Sequence, residues 1–119
     1  MNSLCILRDL NRAMMEYEKS FFEMFHINLN EGMVLCCVAE QKISATQIAC
    51  KIELTNSNCS KILKSVEHKG FVKRCLGEDD KREMYFLLTE LGLEVLERIH
   101  VTDIDIPKLL QPFFDKECR

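Results

Sequence analysis

Residues 54–74 read LTNSNCSKILKSVEHKGFVKR, and the period of their apolar residues changes midway. Up to Gly70 the spacing is helical, with Cys59, Ile62, Leu63 and Val66 at offsets 0, 3, 4 and 7. Thr55 suits the N-cap, because its hydroxyl can accept from an orphan backbone amide. Gly70 stands where a glycine ends a helix. The opposite face holds Asn56, Ser57, Ser60, Lys61 and Lys64 and carries no acid. Beyond Gly70, Phe71, Val72 and Leu76 read as a strand. Gly77 to Arg82 is a polar turn, and Met84 to Leu88 a second strand. A helix running into a two-stranded hairpin is therefore predicted.

Upstream, Ser44-Ala-Thr-Gln47 forms a capping box opening a short helix with Ile48, Ala49 and Ile52. Before it, Asn30 reads as the cap of a helix whose run GMVLCCVAE (32–40) is apolar nearly all round, as suits a buried centre. Leu29 and Val34 can staple its start. Ser3 to Phe25 reads as one long helix. Leu4, Leu7, Leu10, Met14, Tyr17, Phe21 and Met24 recur at steps of three and four, and Ile6, Ala13, Phe22 and Phe25 widen the stripe. That stripe is wider than one small core needs, which suits packing on a second copy. Downstream, Thr89 caps a helix with Leu93, Val95, Leu96 and Ile99 on its apolar side. The tail from Ile104 to Phe114 is apolar. Pro107 can open a short helix there, and Pro112 should limit or kink it.

Composition narrows the function classes. The chain has 119 residues, 47% apolar and 29% charged, one ordinary globular domain's worth. Four Gly and two Pro disfavour a turn-rich all-β design. No apolar run approaches the ~20 residues that cross a bilayer, and no cleavable leader is visible, so no membrane association and a cytoplasmic location are expected. Seven Cys without a C-x-x-C pair read as reduced thiols, mostly small core residues. His26, His68 and His100 are scattered, so no metal and no cofactor are expected. No nucleophile–base pair, glycine-rich phosphate loop or paired-carboxylate signature is readable, which argues against an enzyme. Net charge is −3, but from Thr55 to Arg82 seven basic residues (Lys61, Lys64, Lys69, Lys73, Arg74, Lys81, Arg82) face four acids. That is a local surplus of three, leaving −6 on the rest. Segregated positive charge beside a helix and hairpin points to DNA.

The order of elements is that of a winged helix-turn-helix: mainly α with a small β-hairpin, with N- and C-terminal dimerisation helices. One domain, 1–119, is expected, with 29–100 as the DNA-binding winged helix and 1–28 and 101–119 as dimerisation helices.

Together with DDKREMYFLLTELG (79–92), the opening stretch resembles the MarR family of bacterial transcription regulators. The resemblance rests on the Leu54-Thr55 start, the Gly70 end, and a wing with Asp-x-Arg at Asp80 and Arg82 followed by Phe86, Leu88 and Thr89. Phe86 stands where Leu is usual, and Asn56 where the family often has Arg. The resemblance implies a homodimeric, sequence-specific double-stranded DNA-binding regulator, most often a repressor, whose terminal helices interleave between subunits. It also implies Asp80 as the support of the wing arginine. In the family a small, often aromatic effector releases DNA, and a redox subgroup uses a cysteine near the start of the first helix, where Cys5 stands here with Arg8 one turn on.

Expected DNA contacts are Asn56, Ser57, Asn58, Ser60, Lys61 and Lys64 on the third helix of the motif, with Lys81 and Arg82 on the wing. Short polar groups near a helix N-terminus suit base edges or phosphates. An arginine at a wing tip suits a narrow minor groove. Ser44, Thr46 and Gln47 are candidates for backbone contact. The competing reading is a winged-helix protein-interaction module without DNA binding, favoured by Glu78, Asp79 and Asp80.

Overall fold

The computed structural model describes residues 2–77 and 83–114. The chain divides into two compact units, Leu29–Thr102 and Met1–Asn28 with Asp103–Arg119.

In the first unit the order is α2 (Leu29–Glu40), β1 (Ile43–Ser44), α3 (Ala45–Lys51), α4 (Asn56–His68), β2 (Val72–Leu76), β3 (Met84–Leu88) and α5 (Glu90–Val101). Val34, Leu35, Ile43, Ile48, Leu63 and Val66 are almost fully buried, so α2, α3, α4 and the sheet share one core. The capping box is present: Gln47 N–H donates to Ser44 Oγ at 3.2 Å, and Ser44 N–H to Gln47 Oε1 at 3.0 Å. Thr89 accepts from the Gly92 amide at 3.0 Å while its hydroxyl donates to the Gly70 carbonyl at 2.6 Å, so α5 starts against the end of α4. A Cβ at Gly92 would lie 2.1 Å from the Phe71 carbonyl oxygen, so only glycine fits this crossing.

Two expectations are corrected. The sheet has three strands, ordered β1-β3-β2, not two. β1 pairs antiparallel with the far edge of β3, Ile43 opposite Phe86 and Ser44 opposite Tyr85. Two residues are too few to show a period of two, so sequence pattern does not reveal such a strand. Asn30 does not cap α2, which starts at Leu29. The chain leaves α1 through His26 in the left-handed region, φ 60°, and re-enters a helix sooner than a cap at Asn30 allows. With asparagines on both sides of Leu29, residue type alone does not choose between two starts.

In the second unit α1 (Ser3–Phe25) is one unbroken helix, followed after Thr102 by a 3₁₀ turn (Lys108–Leu110) and α6 (Gln111–Phe114). Tyr17 packs on Phe114 with ring centroids 5.3 Å apart, and Phe21 meets Phe25 edge-on at 4.9 Å. Pro107 precedes the 3₁₀ turn, and Pro112 falls in the first turn of α6, where a missing amide costs no helical bond. Only part of the α1 stripe is covered. Ala13, Phe21 and Phe25 are buried, but Leu4, Leu7, Met14, Met15 and Phe22 are 40–70% exposed.

The cysteines also depart from expectation. Of the six described, only Cys37 and Cys59 are buried, and Cys36 and Cys50 are exposed. Neighbours on a helix point about 100° apart, so a Cys-Cys pair cannot place both thiols in one core.

Candidate nucleic-acid interface

Helix α4 is placed by its two ends and its inner face. Thr55 Oγ1 accepts from the Asn58 amide at 3.1 Å. The preceding turn passes through Glu53 at φ 54°, with the Leu54 amide donating to the Ala49 carbonyl at 2.9 Å. Gly70, at φ 83°, ends the helix, and the Phe71 amide donates to the Val66 carbonyl at 2.9 Å. Helices α3 and α4 thus both close by the six-to-one bond of a Schellman turn. Inside, Cys59, Leu63 and Val66 are at most 2% exposed. The Cys59 thiol donates to the Ala45 carbonyl at 3.6 Å, tying α4 to the first turn of α3.

The outer side is a polar ridge. Asn56, Ser57, Asn58, Ser60, Lys61 and Lys64 are all exposed. At about 100° per residue, Ser57, Ser60, Lys61, Lys64 and His68 fall within one arc roughly 100° wide, with Asn56 about 40° beyond one edge and Asn58 about 60° beyond the other. His68 is an exposed addition to the ridge that residue type alone does not single out. Among the described residues, Lys61 and Lys64 have no ion-pair partner.

Two other basic residues counted toward the local surplus are engaged within the fold. Lys69 Nζ donates to Glu31 Oε2 at 2.6 Å, and the same oxygen accepts from Ser65 Oγ at 2.8 Å. Arg74 Nε donates to both carboxylate oxygens of Glu67, at 3.0 and 2.8 Å, and its guanidinium lies 5.7 Å from the centroid of the Phe86 ring. Counting charges along a sequence misses this, because the acid that neutralises Lys69 lies 38 residues away. Lys73 on β2 stays exposed.

The hairpin is registered Val72 with Leu88, Arg74 with Phe86 and Leu76 with Met84, and the Gly77 amide donates to the Glu83 carbonyl at 3.0 Å. Asp80, Lys81 and Arg82 lie outside the described residues. At the opposite sheet edge, Lys42 Nζ stands 5.2 Å from the centroid of the Tyr85 ring, whose hydroxyl donates to Glu83. Ser44 and Gln47 are spent on their capping box, whereas Thr46 is exposed.

Cys5, half-buried on α1, is far along the chain from all of these. Two open grooves run along α1, one lined by Arg8, Asn11, Arg12, Met15, Glu16 and Lys19, the other by Asp9, Arg12, Ala13, Glu16 and Pro107–Leu109. Most of the lining residues carry a charge, but the surface they present is mainly apolar. Among the described residues no group of three or more His, Cys, Asp or Glu could hold a metal. No described helix is long and apolar enough to cross a membrane.

Comparison with known proteins agrees with this geometry. The MarR family profile matches residues 27–84, from the link before α2 to the first residue of β3. The chain is 27% identical over 99 residues to the HTH-type transcriptional regulator PapX of Escherichia coli, covering 81% of this chain and 59% of that one. It is 36% identical over 67 residues to the uncharacterized HTH-type transcriptional regulator YhjH of Bacillus subtilis, covering 56% and 38%. The chain thus spans about three fifths or less of these relatives. Among solved structures, AbsC, a MarR family transcriptional regulator from Streptomyces coelicolor, superposes with a TM-score of 0.74 at 22% identity, over 82% of this chain and 68% of that one. The S. aureus MepR–DNA complex does so with 0.64 at 21% identity, over 80% and 79%. With the capped α3–α4 pair and the hairpin behind it, residues 27–84, a little under half of the chain, match the MarR family.

Proposed function

We propose that this chain is a sequence-specific double-stranded DNA-binding transcriptional regulator, a repressor acting as a homodimer. The observation that carries the reading is the outward ridge of α4, where Ser57, Ser60, Lys61 and Lys64 stand together and the two lysines have no internal partner among the described residues. An α-helix of this kind fits the major groove. The same fold is found on DNA in the MepR complex. The exposed apolar strip of α1 supports the second copy.

Asn56, Ser57, Asn58 and Ser60 are assigned to base edges and phosphates, Lys61 and Lys64 to backbone charge, and Thr46 to a flanking phosphate. Lys81 and Arg82 are assigned to the adjacent minor groove, with Asp80 supporting Arg82. The test uses a duplex selected by the protein from a random-sequence pool, titrated by fluorescence anisotropy across a salt series. Affinity should fall steeply with salt, by about 0.9 in log affinity per log salt for each phosphate met. Arg82→Ala should weaken binding by about 1–3 kcal/mol, the size of a good specific contact, with the fold intact. Unchanged affinity would remove the wing from the contact surface.

The internal neutralisation of Lys69 and Arg74 lowers the free positive charge and favours the protein-interaction module to that extent. That reading predicts weak, salt-insensitive binding in the same assay. Release by a small aromatic effector or by oxidation of Cys5 is a finer part of the proposal. A simple phenolic compound and peroxide are added separately to the complex: loss of affinity with the first supports effector release, and loss with peroxide that is absent in Cys5→Ser supports thiol release.

A further inference from the structure

Glu31 is an anomaly of position. It sits in the first turn of α2 beside the apolar run that forms the centre of the winged unit, and it is only 3% exposed. A buried carboxylate is retained at a cost in solvation unless partners hold it. Two of its partners lie on α4 and just past its end: Ser65 Oγ at 2.8 Å and Lys69 Nζ at 2.6 Å, both on Oε2. Ser65 and Lys69 are one turn apart, so a single carboxylate oxygen grips the end of the helix. On another side Glu67, also on α4, is held by Arg74 of β2. Among the described residues, the N-terminal part of α4 is held by its cap, the Cys59 thiol bond and apolar contacts. Apolar contact is non-directional and so limits small rotations of a helix about its axis less sharply than charge-assisted hydrogen bonds do.

We infer that Glu31 is a positioning residue for DNA recognition: its grip on Ser65 and Lys69 sets the rotation of α4, and it holds the Lys69 ammonium away from the phosphates. The inference rests on the function proposed above and deepens it. Specificity depends on presenting the Ser57–Lys64 ridge at one angle. Non-specific binding depends chiefly on the number of free cations. Loss of the grip therefore affects the two in opposite directions.

The probes are the selected duplex and a shuffled duplex of the same length and composition, each titrated over a salt series, with the folded fraction followed by circular dichroism. Glu31→Gln keeps the shape and removes the charge. It should lose at least about ten-fold in affinity for the selected duplex and keep or gain affinity for the shuffled one. Lys69→Met, on a side chain one-third exposed, should lose discrimination with an unchanged salt slope. Lys69→Arg, which keeps the pair, should retain discrimination. A ratio of affinities equal to wild type in Glu31→Gln and Lys69→Met overturns the inference. So does a salt slope shallower by about 0.9 or more in Lys69→Met, which would make Lys69 a phosphate contact. Parallel loss on both duplexes in proportion to unfolding would overturn it too, reducing Glu31 to a structural role. Binding of neither duplex by the wild-type chain would instead overturn the proposed function itself.

Discussion

At the scale of single residues, the polar groups that hold this fold act either within one turn of chain, as Thr55 does, or across the packed core, as Glu31 does. Thr55, Ser44 and Thr89 are legible as caps because a cap needs only a short polar side chain at a fixed offset from the amide it accepts. The pairing of Glu31 with Lys69 is not legible, because it joins residues that only the packed fold brings together. Cysteine burial is equally hidden, since a thiol's environment depends on which way its helix faces. The outcome has a chemical consequence. Burial raises the thiol pKa of Cys37 and Cys59 above the usual 9.0. Their folded forms therefore keep protons that the unfolded chain releases. Stability from these two groups is full below about pH 9 and falls as pH climbs beyond it, because the unfolded state then binds fewer protons. Alkylation with iodoacetamide near neutral pH should spare Cys37 and Cys59 in the folded protein and reach both in denaturant. Equal labelling rates in the folded state would contradict their placement.

At the scale of elements, helices with a clear stripe are predicted closely: α1 spans the Ser3–Phe25 that its periodicity marks, and α5 begins directly after its Thr89 cap. Failures come where an element is too short to carry a period, as in β1, or where two caps compete, as before α2. The turn between α3 and α4 sets where α4 begins, and it uses a non-glycine residue at positive φ, Glu53. A left-handed conformation costs an ordinary residue about 1–2 kcal/mol, and glycine escapes that cost at some entropic penalty. Glu53→Gly should therefore raise unfolding stability by about 0.5–1 kcal/mol in urea titration. Destabilisation would mean that the Glu53 side chain contributes more than its backbone strain removes.

At the scale of the whole molecule, the proposed specificity requires two copies of the ridge, since one helix offers few contacts. The exposed strip of Leu4, Leu7, Met14, Met15 and Phe22 is the surface available for pairing on α1. The proposed homodimer should shift to monomer on Leu7→Glu in sedimentation equilibrium, with weaker DNA binding and the winged unit still folded. An unchanged mass would move the interface elsewhere. Whether the α4 ridge meets the DNA backbone, as proposed, is decided by the salt slope of Lys61→Ala beside wild type on one duplex. The variant's slope should be shallower by about 1, the value of one ammonium on one phosphate. A slope identical to wild type would contradict that contact.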